Sequence, residues 1–86
     1  MDKVWEIADH FKKTAQLLVD SPEDVTITLS VNGRMSLRVA RHDVGKVIGA
    51  NGRTARALRV LVSAMCSRAE QILFLDIVQS EEAIGG

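Results

Sequence analysis

Val44-Gly45-Lys46-Val47-Ile48-Gly49-Ala50-Asn51-Gly52-Arg53-Thr54-Ala55-Arg56-Ala57-Leu58 is the stretch that decides how this chain folds. It reads as a very short helix, a four-residue corner bounded by glycines, and a longer helix. Glycine reaches backbone angles closed to other residues and, lacking Cβ, lets a second backbone approach. Gly49 can therefore end the first helix, and Gly52 can open the next with its N–H groups outward. Unpaired donors and the positive end of the helix dipole suit a phosphate. Arg53, Arg56 and Arg59 follow at once, setting the corner in a positive field. Lys46, Gly49, Ala50, Asn51, Gly52, Arg53 and Arg56 are thus candidate contacts to a nucleic-acid backbone. Val47 and Ile48 would help floor a groove against which bases rest. Two glycines three apart also fit an ordinary corner between helices, so the flanks carry the reading.

Outward from the corner, both sides read as regular structure. Val4, Ile7, Ala8, Phe11, Ala15 and Leu18 recur at helical spacing behind Asp2, a good N-cap, which predicts a helix over 2–19. Asp20-Ser21-Pro22 stops it, since proline disfavours helix in the residue before it. Trp5 stands at the edge of the apolar stripe and is expected to anchor this helix to a sheet. Val25, Ile27, Leu29 and Val31 alternate with polar residues, and so do Met35, Leu37 and Val39. Between them Asn32-Gly33 signals a tight hairpin. Asp43 is placed to cap the short helix over 44–48. After the corner, Thr54, Leu58, Leu61, Val62, Met65 and Ala69 form the expected buried stripe of a helix from Gly52 to about Glu70. The apolar run 72–78 reads as a third strand; two intervening helices favour a parallel crossover onto the second. The order is α-β-β-α-α-β, an α+β fold with a three-stranded mixed sheet and its helices packed on one face. A groove would lie between the glycine corner and the sheet edge near Arg38 and Val39.

The chain has 86 residues with 47% hydrophobic content and a formal net charge of zero. That balance conceals a strong polarity. From Arg34 to Arg68 eight basic side chains meet one acid, Asp43, a net of +7, and the remaining residues carry −7. A Debye length of roughly 8 Å at physiological salt keeps the acidic parts from cancelling a local basic surface. The single cysteine, Cys66, cannot form an internal disulfide, which fits a reducing cytoplasm. There is no run of apolar residues long enough to span a membrane and no secretory leader pattern.

The string Val47-Ile48-Gly49-x-x-Gly52 resembles the core of the KH domain, whose GxxG loop clamps about four backbone nucleotides. The wider stretch Asp43 to Gly49, with Gly52-Arg53-Thr54-Ala55 and Ala57-Leu58-Arg59, is similar to the small bacterial proteins of the KhpA type. The order α-β-β-α-α-β resembles the type II, bacterial arrangement of that fold. The resemblance implies one KH domain over residues 1–79 with its GxxG loop at 49–52; residues 80–86, with Glu81 and Glu82, read as a short acidic flexible tail. It also implies a cytoplasmic single-stranded RNA-binding protein, with single-stranded DNA as a possible substitute ligand. Such a protein would be a post-transcriptional regulator or RNA chaperone involved in cell-shape control. Its partners would be a second copy or a larger KH-domain RNA-binding protein. One departure stands out. Such loops usually carry Lys or Arg at a middle position, whereas this one has Ala50-Asn51.

Other chemistries find little support. Gly45 through Gly52 does not supply the spacing of a P-loop, and the glycines of a dinucleotide fingerprint are missing. His10, His42 and Cys66 do not make a metal site, and no acids are paired for general acid–base work. The expectation is a non-enzymatic protein without cofactor. With two Phe, one Trp and no Tyr, aromatic base stacking should be minor. The reading of a different class is a protein-interaction module that keeps the fold with weak RNA binding or none. Ala50, Val60 on a polar helix face, and the two-sided apolar run 72–78 speak for it.

Overall fold

The computed structural model describes residues 2–79. The elements are α1 (Asp2–Gln16), β1 (Thr26–Leu29), β2 (Arg34–Val39), α2 (Val44–Ile48), α3 (Arg53–Ala69) and β3 (Phe74–Gln79), with 3-10 turns between several of them. The order, the mixed sheet and the helices on one face agree with the sequence reading. The expected acidic tail at 80–86 lies outside the described residues.

β2 is the central strand, antiparallel to β1 and parallel to β3. Pairing places side chains in rows on the two faces. Ile27–Leu37–Ile77 and Leu29–Met35–Leu75 look toward the helices, while Thr26–Arg38–Val78 and Thr28–Ser36–Asp76 lie on the open face. Met35, Leu37 and Val39 are fully buried, as is Phe11 from α1, and Ile7, Ala8 and Ala15 complete that helix's inner stripe. Fully burying a large apolar side chain contributes roughly 1.5–3 kcal/mol, so these residues carry much of the fold's stability.

The β1–β2 hairpin corrects the expected tight Asn32-Gly33 turn. Ser30 N–H donates to the Arg34 carbonyl and Gly33 N–H to the Ser30 carbonyl, so the loop is Val31-Asn32-Gly33, with Gly33 at φ 87°. A two-residue loop would pair residue 31 with 34. That register would set Leu29 opposite Ser36 and Ile27 opposite Arg38, mixing apolar and polar side chains on each face. The observed register, Leu29 with Met35 and Ile27 with Leu37, keeps the apolar set together. The added residue leaves Val31 outside the sheet and wholly exposed.

Three other expectations shift. α1 ends at Gln16, three residues early, because Leu17 and Leu18 N–H groups turn back to the carbonyls of Thr14 and Ala15 and tighten the last turn. α3 buries Ala55, Leu58, Val62 and Cys66, so its inner stripe is rotated from the expected one and Leu61 is left 37% exposed. Met65 and Ala69 stay half-buried against the core. Trp5 sits at the seam of α1 and β1 beside Thr26 and Ile27, yet remains more than half exposed, a weaker anchor than expected.

Candidate nucleic-acid interface

α2 is only five residues long and ends where Gly49 takes φ 79°, ψ 168°. That region of backbone space is essentially closed to side chains. Space closes it a second time. A Cβ at Gly49 would collide with the Thr54 side chain and come within 2.8 Å of its backbone nitrogen. Asn51 (φ 56°, ψ 26°) and Gly52 (φ 73°, ψ 15°) then take left-handed angles, which Asn tolerates better than most residues. These three residues turn the chain from the end of α2 into the first turn of α3, and no side chain caps that turn.

Part of the corner's donor set is consumed internally. Gly49 N–H bonds the Gly45 carbonyl, Gly52 N–H the Gly49 carbonyl, and Arg53 N–H the Ala50 carbonyl. The corner's remaining donors are the N–H groups of Ala50 and Asn51, whose side chains are exposed. Arg53, Arg56 and Arg59 are exposed on the first two turns of α3. Ile48 is half-buried at the corner, whereas Val47 has no exposed surface and belongs to the core beneath it. Val47 therefore supports a groove from below and offers no face to a base.

Asp43 departs from its expected role. It precedes α2, but its carboxylate makes no capping bond. Its two oxygens accept the N–H groups of Asp20 and Ser21, each at 3.0 Å, and the side chain is fully buried. The latch joins the segment after α1 to the helix carrying the glycine corner. Burial acts to push the Asp43 carboxyl up, but the N–H bonds from Asp20 and Ser21 and the charges of His42 and Lys46 outweigh it. They hold the group below its ordinary value of 3.8. Lys46 is drawn into the same cluster, 3.2 Å from Asp20 Oδ2 and 3.8 Å from Asp43 Oδ1.

Ser21, His42 and Asp43 are neighbours, yet they do not form a hydrolytic triad. Ser21 Oγ and Asp43 Oδ2 both approach the same ring nitrogen, His42 Nε2, at 2.9 and 3.5 Å. A relay needs the carboxylate on one nitrogen and the hydroxyl on the other. Among the described residues no cluster of three His, Cys, Asp or Glu is arranged to hold a metal.

Arg38 is not brought to the corner. β2 is paired on both sides at Arg38, which lies opposite Thr26 and Val78, so no free edge exists there, and Val39 pairs with Gln79 of β3. Arg38 lies half-buried on the open face of the sheet, away from the helices, and Val39 is fully buried. The free edge next to α3 belongs to β3. Between α3 and β3 runs a cavity of about 620 Å³ floored by Val62, Cys66 and Leu75 and bordered by Arg59, Arg34 and Phe74. Arg34 pairs with Asp76 at 3.0 Å, and among the described residues Arg59 is the border's cation without an ion-pair partner. Arg59 was legible as the next member of the Arg53, Arg56 series. Nothing in the apolar run 72–78 marked Ile72 and Phe74, 76% and 58% exposed, as facing outward.

The family model described as "KhpA/KhpB, KH domain" matches residues 9–77. The chain belongs to the KhpA/KhpB KH-domain family. Among similar proteins, the RNA-binding protein KhpA of Treponema pallidum is 48% identical over 67 residues, covering 74% of this chain and 84% of the relative. The RNA-binding protein KhpA of Streptomyces coelicolor is 45% identical over 64 residues, covering 70% and 80%. The RNA-binding protein KhpA of Listeria monocytogenes is 42% identical over 65 residues, covering 72% and 86%. The KhpA/KhpB match takes in the second half of α1, all of β1, β2, α2 and α3 with the glycine corner between them, and most of β3. No helix among the described residues is long and apolar enough to cross a membrane.

Proposed function

We propose that this protein binds single-stranded RNA through a backbone clamp at Gly49-Ala50-Asn51-Gly52. One observation carries the reading: a sterically enforced glycine corner presents exposed residues beside three exposed arginines on α3. The family and the names of the relatives point the same way. Phosphates meet the N–H groups of Ala50 and Asn51 and the side chains of Arg53 and Arg56, with Lys46 next to them. The strand then runs along the groove between α3 and β3, past Ile48 and Arg59. Single-stranded DNA offers the same phosphates and is an alternative ligand. Phosphate contacts dominate, so binding is weak per chain and weakly sequence-selective. A domain that clamps few nucleotides gains avidity by pairing, either with a second copy or with a larger KH-domain protein. Such a module suits post-transcriptional regulation or RNA chaperoning in the cytoplasm.

The test is Ala50→Asp with Asn51→Asp. Both side chains are exposed and two negative charges would repel the clamped phosphates, so RNA affinity is lost while the melting curve stays unchanged. Undiminished affinity with normal melting removes the corner from the mechanism. The second reading, a protein-interaction module, is favoured by the exposure of Val60 (63%), Ile72 (76%) and Phe74 (58%). It moves ahead if RNA binding is absent from the parent chain.

A further inference from the structure

Lys46 stands three residues before Gly49, one helical turn from the corner, and is 43% exposed. It does not stand there as a free cation. Its ammonium is flanked by Asp20 and Asp43, so the three groups together carry one net negative charge. The two carboxylates differ in kind. Asp43 is fully buried and both its oxygens are fixed by backbone N–H groups, so it cannot leave. The Asp20 carboxylate is 69% exposed. The backbone of Asp20 is tethered, through its N–H, to the same Asp43. The side chain is thus held beside Lys46 by its backbone while its carboxylate is free to rotate into solvent. At 3.8 Å the attraction of Asp43 is between charges and occupies no donor, so Lys46 can stay beside Asp43 and exchange its nearer partner, Asp20.

We infer that Asp20 is a built-in competitor for the phosphate that Lys46 binds: in the free protein it occupies the lysine, and an incoming RNA phosphate displaces it while Asp43 keeps the ammonium in place. The inference rests on the clamp reading above and adds a residue to it from the segment after α1, far from the glycine motif in sequence. Asp43 is here a positioning residue, and Asp20 sets the threshold for engagement. Exposed ion pairs are weak, so the barrier Asp20 imposes is small. Its removal therefore tightens binding by about two- to fivefold, the range those pair strengths correspond to.

The experiment is a double-mutant cycle of Asp20→Asn and Lys46→Ala, read as affinity for an eight-nucleotide single-stranded RNA across a salt series. Asp20→Asn keeps the backbone N–H bond to Asp43, so its melting curve matches the parent. It is expected to tighten binding about two- to fivefold at low salt, with the gain shrinking as salt rises. In the Lys46→Ala background the same change is expected to give no gain. An equal gain in both backgrounds shows a general charge effect and overturns the inference, as does no gain in either. The Ala50→Asp, Asn51→Asp variant separates this failure from failure of the clamp. If that variant loses RNA while the cycle shows no coupling, the clamp stands and the role of Asp20 falls. A parent chain that binds no RNA overturns both.

Discussion

Thr54 occupies the space that a side chain on Gly49 would need: a Cβ there would lie within 2.8 Å of the Thr54 nitrogen and closer still to its side chain. The first residue of the corner and the second residue of α3 are therefore fitted to one another. At Gly52 a Cβ would meet nothing within 4 Å, and only the positive φ of 73° resists substitution. Gly52→Ala should then cost about 1–2 kcal/mol, the penalty for a left-handed alanine. Gly49→Ala should cost more, roughly 3 kcal/mol or above, since backbone strain and a collision with backbone add. Urea unfolding of the two variants checks the order. Equal losses would mean that Thr54 yields.

The buried Asp43 carboxylate makes stability depend on pH in a defined sense. Its folded-state value lies below the ordinary 3.8, so in acid the unfolded chain takes up the proton first. Stability from this group is fully present above the ordinary carboxylate range and is lost as pH falls through the depressed value. Asp43→Asn should melt below the parent at neutral pH, because one of the two N–H groups of Asp20 and Ser21 loses its acceptor. The difference between the two proteins should narrow from about pH 5 downward. Melting curves at several pH values measure this. A constant gap would show that the carboxylate's charge contributes nothing.

Ala50 is exposed in the middle of the glycine corner and carries no charge. Ala50→Lys should tighten RNA binding and steepen the slope of log affinity against log salt by roughly 0.7, the increment for one phosphate contact on a single strand. The parent slope should be small, about −1.5 to −3, corresponding to some two to four contacts. Preference among sequences should barely change, because phosphate contacts position a strand without reading it. A gain confined to one sequence with an unchanged salt slope would place a base at residue 50.

Val60 is 63% exposed on α3, on the same helix as the three exposed arginines. If two copies pair through this face, Val60→Asp should weaken the dimer by roughly tenfold or more. Burying a valine contributes about 1.5 kcal/mol or more, and a buried unpaired carboxylate adds a penalty. Sedimentation over a micromolar concentration range reports the shift. A parent that is monomeric throughout that range excludes pairing there.

Much of this architecture was legible because it is written in short-range periodicity. Alternation at 25–31 and 35–39, helical spacing at 4–15 and 54–69, and glycines at 49 and 52 depend only on neighbours within a turn or a strand. Those neighbours determined the element order, the hairpin and the corner with its arginines. Tertiary structure decided whatever required choosing between partners distant in sequence. The register of β1 on β2 overrode the Asn32-Gly33 signal, since keeping Leu29 opposite Met35 buries more apolar surface than a tighter turn saves. Asp43 abandoned its local cap for N–H groups 22 and 23 residues away, and Lys46 followed it. β2 became the central strand, which set Arg38 on the open face of the sheet and left β3 as the edge beside α3. In each case two locally acceptable arrangements competed. The one that buried the core and satisfied its polar groups prevailed, a balance summed over the whole chain and therefore absent from any short window of it.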